Sequence, residues 1–115
     1  MTTQIGGQLL DKAKEFRREA TRCLKDGSLD SAVVLISKTA FAVVDHHLFL
    51  KGGFIPSDHQ KRKDAVRFRL PEVLPYLSDI YDKYILAYQQ RMTRTDVEVV
   101  QDALGEILKL VETQI

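Results

Sequence analysis

A chain of 115 residues, 44% of them hydrophobic, has enough apolar material for one core and is too short for two ordinary domains, so residues 1–115 are expected to form a single domain. The net charge of +1 and a pI near 7.9 exclude a global field drawing the protein to nucleic acid or membrane, which leaves only local charge clusters to do so. Cys23 is the only cysteine and excludes an intramolecular disulfide, while Met1-Thr2-Thr3-Gln4-Ile5 shows no basic region followed by an apolar run, so a cytoplasmic protein is expected.

From Leu9 the apolar residues Leu9, Ala13, Phe16, Ala20, Cys23 and Leu24 recur at steps of four and three, the stripe of an amphipathic helix. Asp26-Gly27-Ser28 breaks it: Gly27 suits a helix end, and Ser28 suits the cap of the next start, with Ser31 three residues on. A turn this short predicts an antiparallel helix pair. The second helix, from about Leu29 to Lys51, carries apolar residues on several faces and must be covered on several sides, so it is expected at the centre. Its most apolar stretch, Ala32 to Leu50, is interrupted by Ser37, Lys38, Asp45, His46 and His47 and is not expected to span a membrane.

Gly52-Gly53-Phe54-Ile55-Pro56 ends that helix, and Ser57-Asp58-His59-Gln60 has the pattern of a capping box between Ser57 and Gln60. A short basic helix follows, with Pro71 ending it or opening the next. The fourth helix carries Val73, Leu74, Leu77, Ile80, Tyr81, Tyr84, Ile85 and Tyr88 as a stripe sustained to its end. Thr95-Asp96-Val97-Glu98 is a second capping-box pattern, and Val97, Val100, Leu104, Ile107, Leu108, Val111 and Ile115 form the last stripe. Five helices are predicted, one of them short, with no strand, repeat or long linker.

The run Asp26-Gly27-Ser28-Leu29-Asp30-Ser31-Ala32, the Ala-rich central helix, Leu48-Phe49-Leu50-Lys51-Gly52-Gly53-Phe54-Ile55-Pro56-Ser57-Asp58-His59 and Arg91 at the end of the fourth helix together resemble the HEPN family of small prokaryotic helical domains over nearly the whole chain. The resemblance implies an all-α, up-down four-helix bundle with an additional short helix, a homodimer, and a minimal nucleotidyltransferase as partner or antitoxin. It also implies a site. Many members are metal-independent ribonucleases that place an Arg and, four to six residues beyond it, a His at a helix end, the arginine steadying phosphate charge and the histidine moving the proton of the attacking 2′-hydroxyl.

Here that histidine is missing. Counting from Arg91, its positions hold Asp96, Val97 and Glu98; counting from Arg94, they hold Val99, Val100 and Gln101. Arg91-Met92-Thr93-Arg94-Thr95-Asp96 is loosely similar to another branch, in which an Arg precedes a short Ala-Asp-Tyr-like motif, but the aspartate is displaced and the tyrosine is absent. Ribonuclease activity of the family type is therefore not expected. The candidates at this junction are Arg91 and Asp96 for any catalysis, and Arg91 and Arg94 for nucleotide or RNA. Each also has a plain structural account, as a cation at a helix C-terminus, a solvated side chain, or an acid in a first helical turn.

From Lys51 to Arg69 the cations Lys51, Lys61, Arg62, Lys63, Arg67 and Arg69 outnumber Asp58 and Asp64, and Lys61 and Arg62 join the candidates for a phosphate-bearing partner. A solvated helix face explains the same charges. Tyr81, Tyr84 and Tyr88 follow the helical stripe and are expected in the core or a dimer interface. His46 and His47 are adjacent, pointing ~100° apart on a helix, and do not chelate one ion; one of them is expected against the third helix, and His59 is expected to hydrogen-bond locally. No metal site, cofactor or membrane contact is expected.

The last helix has an acidic exposed face of Asp96, Glu98, Asp102, Glu106 and Glu112, which with the basic segment suits self-association or a protein partner. Three functions fit these residues. The preferred one is a non-catalytic or weakly catalytic HEPN-like dimer acting with a nucleotidyltransferase, in a toxin–antitoxin type module, or binding nucleotide or RNA. The alternatives are an active ribonuclease with a non-standard site, and a structural helical adaptor.

Overall fold

The computed structural model describes the backbone of residues 2–115 and the side chains from Gly6 onward; the side chains of the N-terminal stretch read for a leader segment lie outside the described residues. The elements are α1 (Thr2–Asp26), α2 (Leu29–Gly52), α3 (His59–Arg69), a 3-10 turn at Pro71–Val73, α4 (Leu74–Ala87) and α5 (Arg94–Leu110). No strand occurs among the described residues.

α1 turns into α2 through Gly27 and Ser28. Gly27 takes φ +75°, the left-handed conformation that glycine adopts without steric cost, and the amides of Gly27 and Ser28 reach back to Leu24 O and Cys23 O at 3.2 and 2.8 Å. Ser28 is the residue before α2 as expected, but its side chain makes no capping bond: at φ −84°, ψ 76° the backbone is outside the extended geometry that aims a hydroxyl at the first turn. The two helices run antiparallel, since Gly6 near the start of α1 meets His46 near the end of α2. Gly6, Ala13 and Ala20 are buried at seven-residue spacing, so α1 presents small side chains where it lies against α2.

α2 is the central element. It packs against α1, α3, α4 and α5, and Val33, Val43, Val44 and Leu48 are wholly enclosed, each contributing ~1.5–3 kcal/mol by leaving water. By length and apolar composition this helix passes the test for a membrane span, but 61% of its most apolar window is buried inside the fold. Its buried hydroxyls are satisfied within the helix, Ser37 Oγ donating to Val33 O at 2.7 Å and Thr39 Oγ1 to Leu35 O at 2.8 Å. Gly53 at φ +72° closes the helix by donating its amide to Phe49 O.

Two caps differ from the sequence expectation. α3 is capped by Asp58, whose Oδ1 accepts the Lys61 amide at 2.8 Å, rather than by Ser57; Gln60 turns instead to Asp64 Oδ1 at 3.0 Å. α5 is capped by Thr93 rather than Thr95, through a complete box in which Thr93 Oγ1 accepts the Asp96 amide and Asp96 Oδ2 accepts the Thr93 amide. Arg94 therefore lies inside the first turn of α5.

Pro71 opens the 3-10 turn. The apolar stripe of α4 is buried at Leu77, Ile80 and Tyr81 but does not hold to the helix end, because Ile85 and Tyr88 are exposed. On α5, Val97, Val100, Leu104 and Ile107 enter the core. Among the described residues the backbone of α1 runs close to that of α2 alone among the helices, and between α1 and α5 lies a groove of about 190 Å³ lined by Ala20, Leu24, Ile36 and Leu104.

Candidate functional site

The α4–α5 junction gathers part of the expected site. The Met92 amide donates to Asp30 Oδ1 at 2.6 Å, and burial of the Met92 side chain pins the connection against the start of α2. Arg91 is thereby turned outward: its side chain is 93% exposed, and among the described residues Asp30 Oδ2 at 3.3 Å is its partner. Beside it lies an open groove of about 360 Å³ lined by Asp30, Ser31, Val34, Leu35, Ala87 and Tyr88. The groove is apolar along its length and carries Asp30, with its partner Arg91, at one end.

Asp96 is committed elsewhere. Besides the Thr93 amide and hydroxyl, at 2.8 and 3.0 Å, it accepts Lys83 Nζ at 2.8 Å, and these donors, Lys83 foremost, hold its carboxyl below the usual carboxylate range. A carboxylate stabilised in its charged form is a poor proton acceptor. Arg94 is exposed, and no hydrogen bond or ion pair holds it among the described residues.

Lys61 and Arg62 are neighbours in sequence with opposite fates. Lys61 is exposed and its Nζ reaches Ser57 Oγ at 3.2 Å. Arg62 faces inward: Nε and Nη2 donate to the two Asp45 oxygens at 2.7 and 2.8 Å, and Nη1 donates to Tyr81 OH at 2.9 Å and to His59 Nδ1 at 2.8 Å. Its guanidinium carbon stands 4.9 Å from the centre of the Phe41 ring, a cation–π contact. Burial opposes this charge, but the Asp45 carboxylate outweighs it and raises the Arg62 pKa. With four of its five N–H donors committed inside the fold and its charge buried beside Asp45, this guanidinium is not presented to a phosphate from solution.

His59 meets Arg62 locally, as expected, but its Nδ1 also lies 3.0 Å from Tyr81 OH on α4, and its state follows from Arg62. Nδ1 accepts from the guanidinium, so the ring proton sits on Nε2; burial first, then the Arg62 and Lys63 charges, lower its pKa. Burial likewise raises the Tyr81 pKa, with Arg62 opposing. This network offers no proton-transfer pair near Arg91, because Tyr88 lies two helical turns beyond Tyr81 on α4, ~10 Å away. What it does is bind α3, through Arg62 and His59, to Asp45 and Phe41 of α2 and to Tyr81 of α4. Sequence reasoning missed it, although a signal was present: Arg62 is four residues before the buried Val66 and shares its helix face, and Asp45 interrupts an apolar run.

An aromatic ladder continues from the network to the surface. Phe41 stacks on Tyr81 with centroids 4.7 Å apart and meets Tyr84 edge-on at 5.1 Å, and Tyr84 meets Tyr88 edge-on at 5.4 Å. Tyr81 is core, Tyr84 half-buried, and Tyr88 67% exposed at the groove.

The adjacent histidines serve separate contacts, and neither packs on α3 as expected. His46 Nδ1 lies 2.8 Å from Gly6 O on α1, and His47 Nε2 lies 2.6 Å from Thr113 Oγ1 in the C-terminal tail. Their positions on α2 aim them at these two elements rather than at α3. Among the described residues no three His, Cys, Asp or Glu side chains converge as a metal site would require. Compared with known proteins, the chain matches no family model, no curated protein and no solved structure.

Proposed function

We propose that this chain is a HEPN-like domain, an up-and-down four-helix bundle in which α3 is the additional short helix, working in the cytoplasm as a homodimer. It acts by binding rather than by RNA cleavage. The Arg91 junction is its binding end, with a minimal nucleotidyltransferase as partner in a toxin–antitoxin type module and with nucleotide or RNA phosphate as the ligand of Arg91 and Arg94.

The observation that carries this reading is the contrast between Arg91 and Asp96. The arginine is almost wholly exposed and held by a single 3.3 Å ion pair to Asp30, for which a phosphate can compete, while Asp96, the carboxylate that follows it at the junction, is spent on a helix cap and a lysine. Transition-state charge has a stabiliser here, but Asp96 is held in its charged form by Lys83 and Thr93, and Asp30 is engaged by the Met92 amide and by Arg91 itself, so neither carboxylate is disposed to act as the base. The apolar groove of Val34, Leu35, Ala87 and Tyr88 beside Arg91 gives a second copy or a partner helix a surface to cover.

The test is to incubate the purified protein with total RNA beside Arg91→Ala and, separately, to co-express it with a minimal nucleotidyltransferase of the same genome. The expected result is no Arg91-dependent cleavage, together with co-purification that Arg91→Ala weakens. RNA fragments produced by the wild type and abolished in Arg91→Ala would overturn the binding reading in favour of a ribonuclease with a non-standard site; failure to co-purify would remove the partner.

A further inference from the structure

The outer flank of α3 carries a group that the junction does not use. Phe68 is 81% exposed and Phe54, in the loop after α2, is 40% exposed, although rings of this size favour burial. Arg69 adjoins both. Its guanidinium carbon is 5.5 Å from the centre of the Phe68 ring, and its Nε and the Phe54 Cε1 each stand 3.0 Å from where a Cβ on Gly52 would be. Gly52 thus leaves the space in which Arg69 and Phe54 come together.

Arg69 is also the unspent arginine of this helix. Arg62 is buried on Asp45 and Arg67 pairs with Asp64 at 3.3 Å, whereas Arg69 has no carboxylate partner among the described residues. Lys61, two helical turns before Phe68 and on the same flank, and Lys51, next to Gly52, are exposed and extend the positive charge along the surface.

We propose that this flank is a platform for single-stranded RNA, with Arg69 holding a phosphate and Phe68 and Phe54 stacking the bases on either side of it. A cation adjoining two exposed rings matches a phosphate flanked by two bases in a strand. Stacking on phenylalanine accepts any base, and arginine adds both charge and a planar face. An anionic bilayer matches less well, because inserting both rings would carry the adjoining guanidinium into the apolar boundary. The inference stands apart from the proposed role of Arg91 and holds or fails without it.

Fluorescence anisotropy of the full chain with a short labelled oligouridylate, over a series of salt concentrations, tests it. The wild type is expected to bind, with affinity falling as salt rises. Phe68→Ser removes an exposed side chain that the fold does not need and is expected to weaken binding roughly tenfold. Arg69→Gln is expected to weaken it and to lower the salt slope by about one contact. Gly52→Ala keeps both binding groups but displaces them, and is expected to weaken binding with the urea midpoint checked in parallel. Lys14→Gln, which removes one exposed charge from α1, is expected to leave the affinity unchanged. Absence of oligouridylate binding at low salt overturns the proposal, as does equal affinity for a duplex of the same length. So does loss of binding in Arg91→Ala while Phe68→Ser retains wild-type affinity, an outcome that would favour the junction instead. Binding to phosphatidylserine-containing vesicles without binding to the oligonucleotide also overturns it and assigns the flank to a lipid surface.

Discussion

Asp45 and Arg62 have side chains 9% and 11% exposed, so both charges have been taken out of water, and what offsets that cost is their bidentate geometry together with the Tyr81 and His59 contacts of the same guanidinium. A pair of this kind is asymmetric in its energetics. Asp45→Ala leaves the arginine charge buried without its counter-ion and is expected to destabilise the fold by about 3–5 kcal/mol in urea unfolding. Replacing both residues, Asp45→Leu with Arg62→Met, removes the two desolvation costs as well as the attraction and is expected to leave stability within about 1 kcal/mol of the wild type or above it. If the double variant were as unstable as the single one, the pair would have to be supplying net stability rather than fixing where α3 sits. The same accounting separates Arg62 from Lys61: charge substitution at the exposed Lys61 is expected to change stability by no more than about 0.5 kcal/mol.

At the scale of elements, the capping residues show where local pattern stops deciding. Thr93-x-x-Asp96 and Thr95-x-x-Glu98 both have the shape of a box, and hydrophobic periodicity alone does not choose between starts two residues apart. The choice is made by tertiary contacts that no local window contains: the Met92 amide held by Asp30, across more than sixty residues of chain, and Asp96 held by Lys83. Thr93→Ala is therefore expected to cost ~1 kcal/mol or more, since it removes a cap, while Thr95→Ala on the exposed face of the helix is expected to be nearly neutral. Chemical unfolding of the two variants distinguishes the two starts. The helices themselves were legible, because α1, α4 and α5 have apolar stripes and Gly, Pro or capping residues mark the ends; the central place of α2 followed from apolar residues on several of its faces. The site was less legible. Arg91 could be located from the sequence, but charge composition put Arg62 in a solvated patch with Lys61, and only the register with Val66 distinguished the buried arginine from the exposed lysine.

Across the whole molecule, two histidines join parts that are otherwise lightly connected, and this gives the fold a pH dependence whose sign can be worked out. His47 ties the C-terminal tail to α2 through Thr113, and His59 sits where α3 meets α4. Both have pKa values below that of a free imidazole, His47 through burial and then the nearby His46 and Lys51, and His59 through burial and then Arg62 and Lys63. The unfolded chain binds these protons near pH ~6.5, and the folded chain binds them only at lower pH. Between those values the unfolded state holds more protons, so the stability linked to both histidines is fully present above pH ~6.5 and declines as the pH falls through that value towards the folded pKa. Asp96 acts in a lower window: its depressed pKa contributes stability above the ordinary carboxylate range, lost as the pH falls through the folded value. The urea midpoint is therefore expected to drop on acidification from pH 7.5 to pH 5.5 with carboxylates still ionised, and His47→Gln with His59→Gln is expected to make that drop smaller even where the substitutions lower the midpoint at pH 7.5. A midpoint that rose on acidification, or a drop undiminished in the double variant, would place the titrating groups elsewhere. Because His47 and His59 hold different elements onto α2 and α4, amide exchange at the lower pH is expected to quicken first in the C-terminal tail and the first turn of α3, before the central turns of α2 are affected.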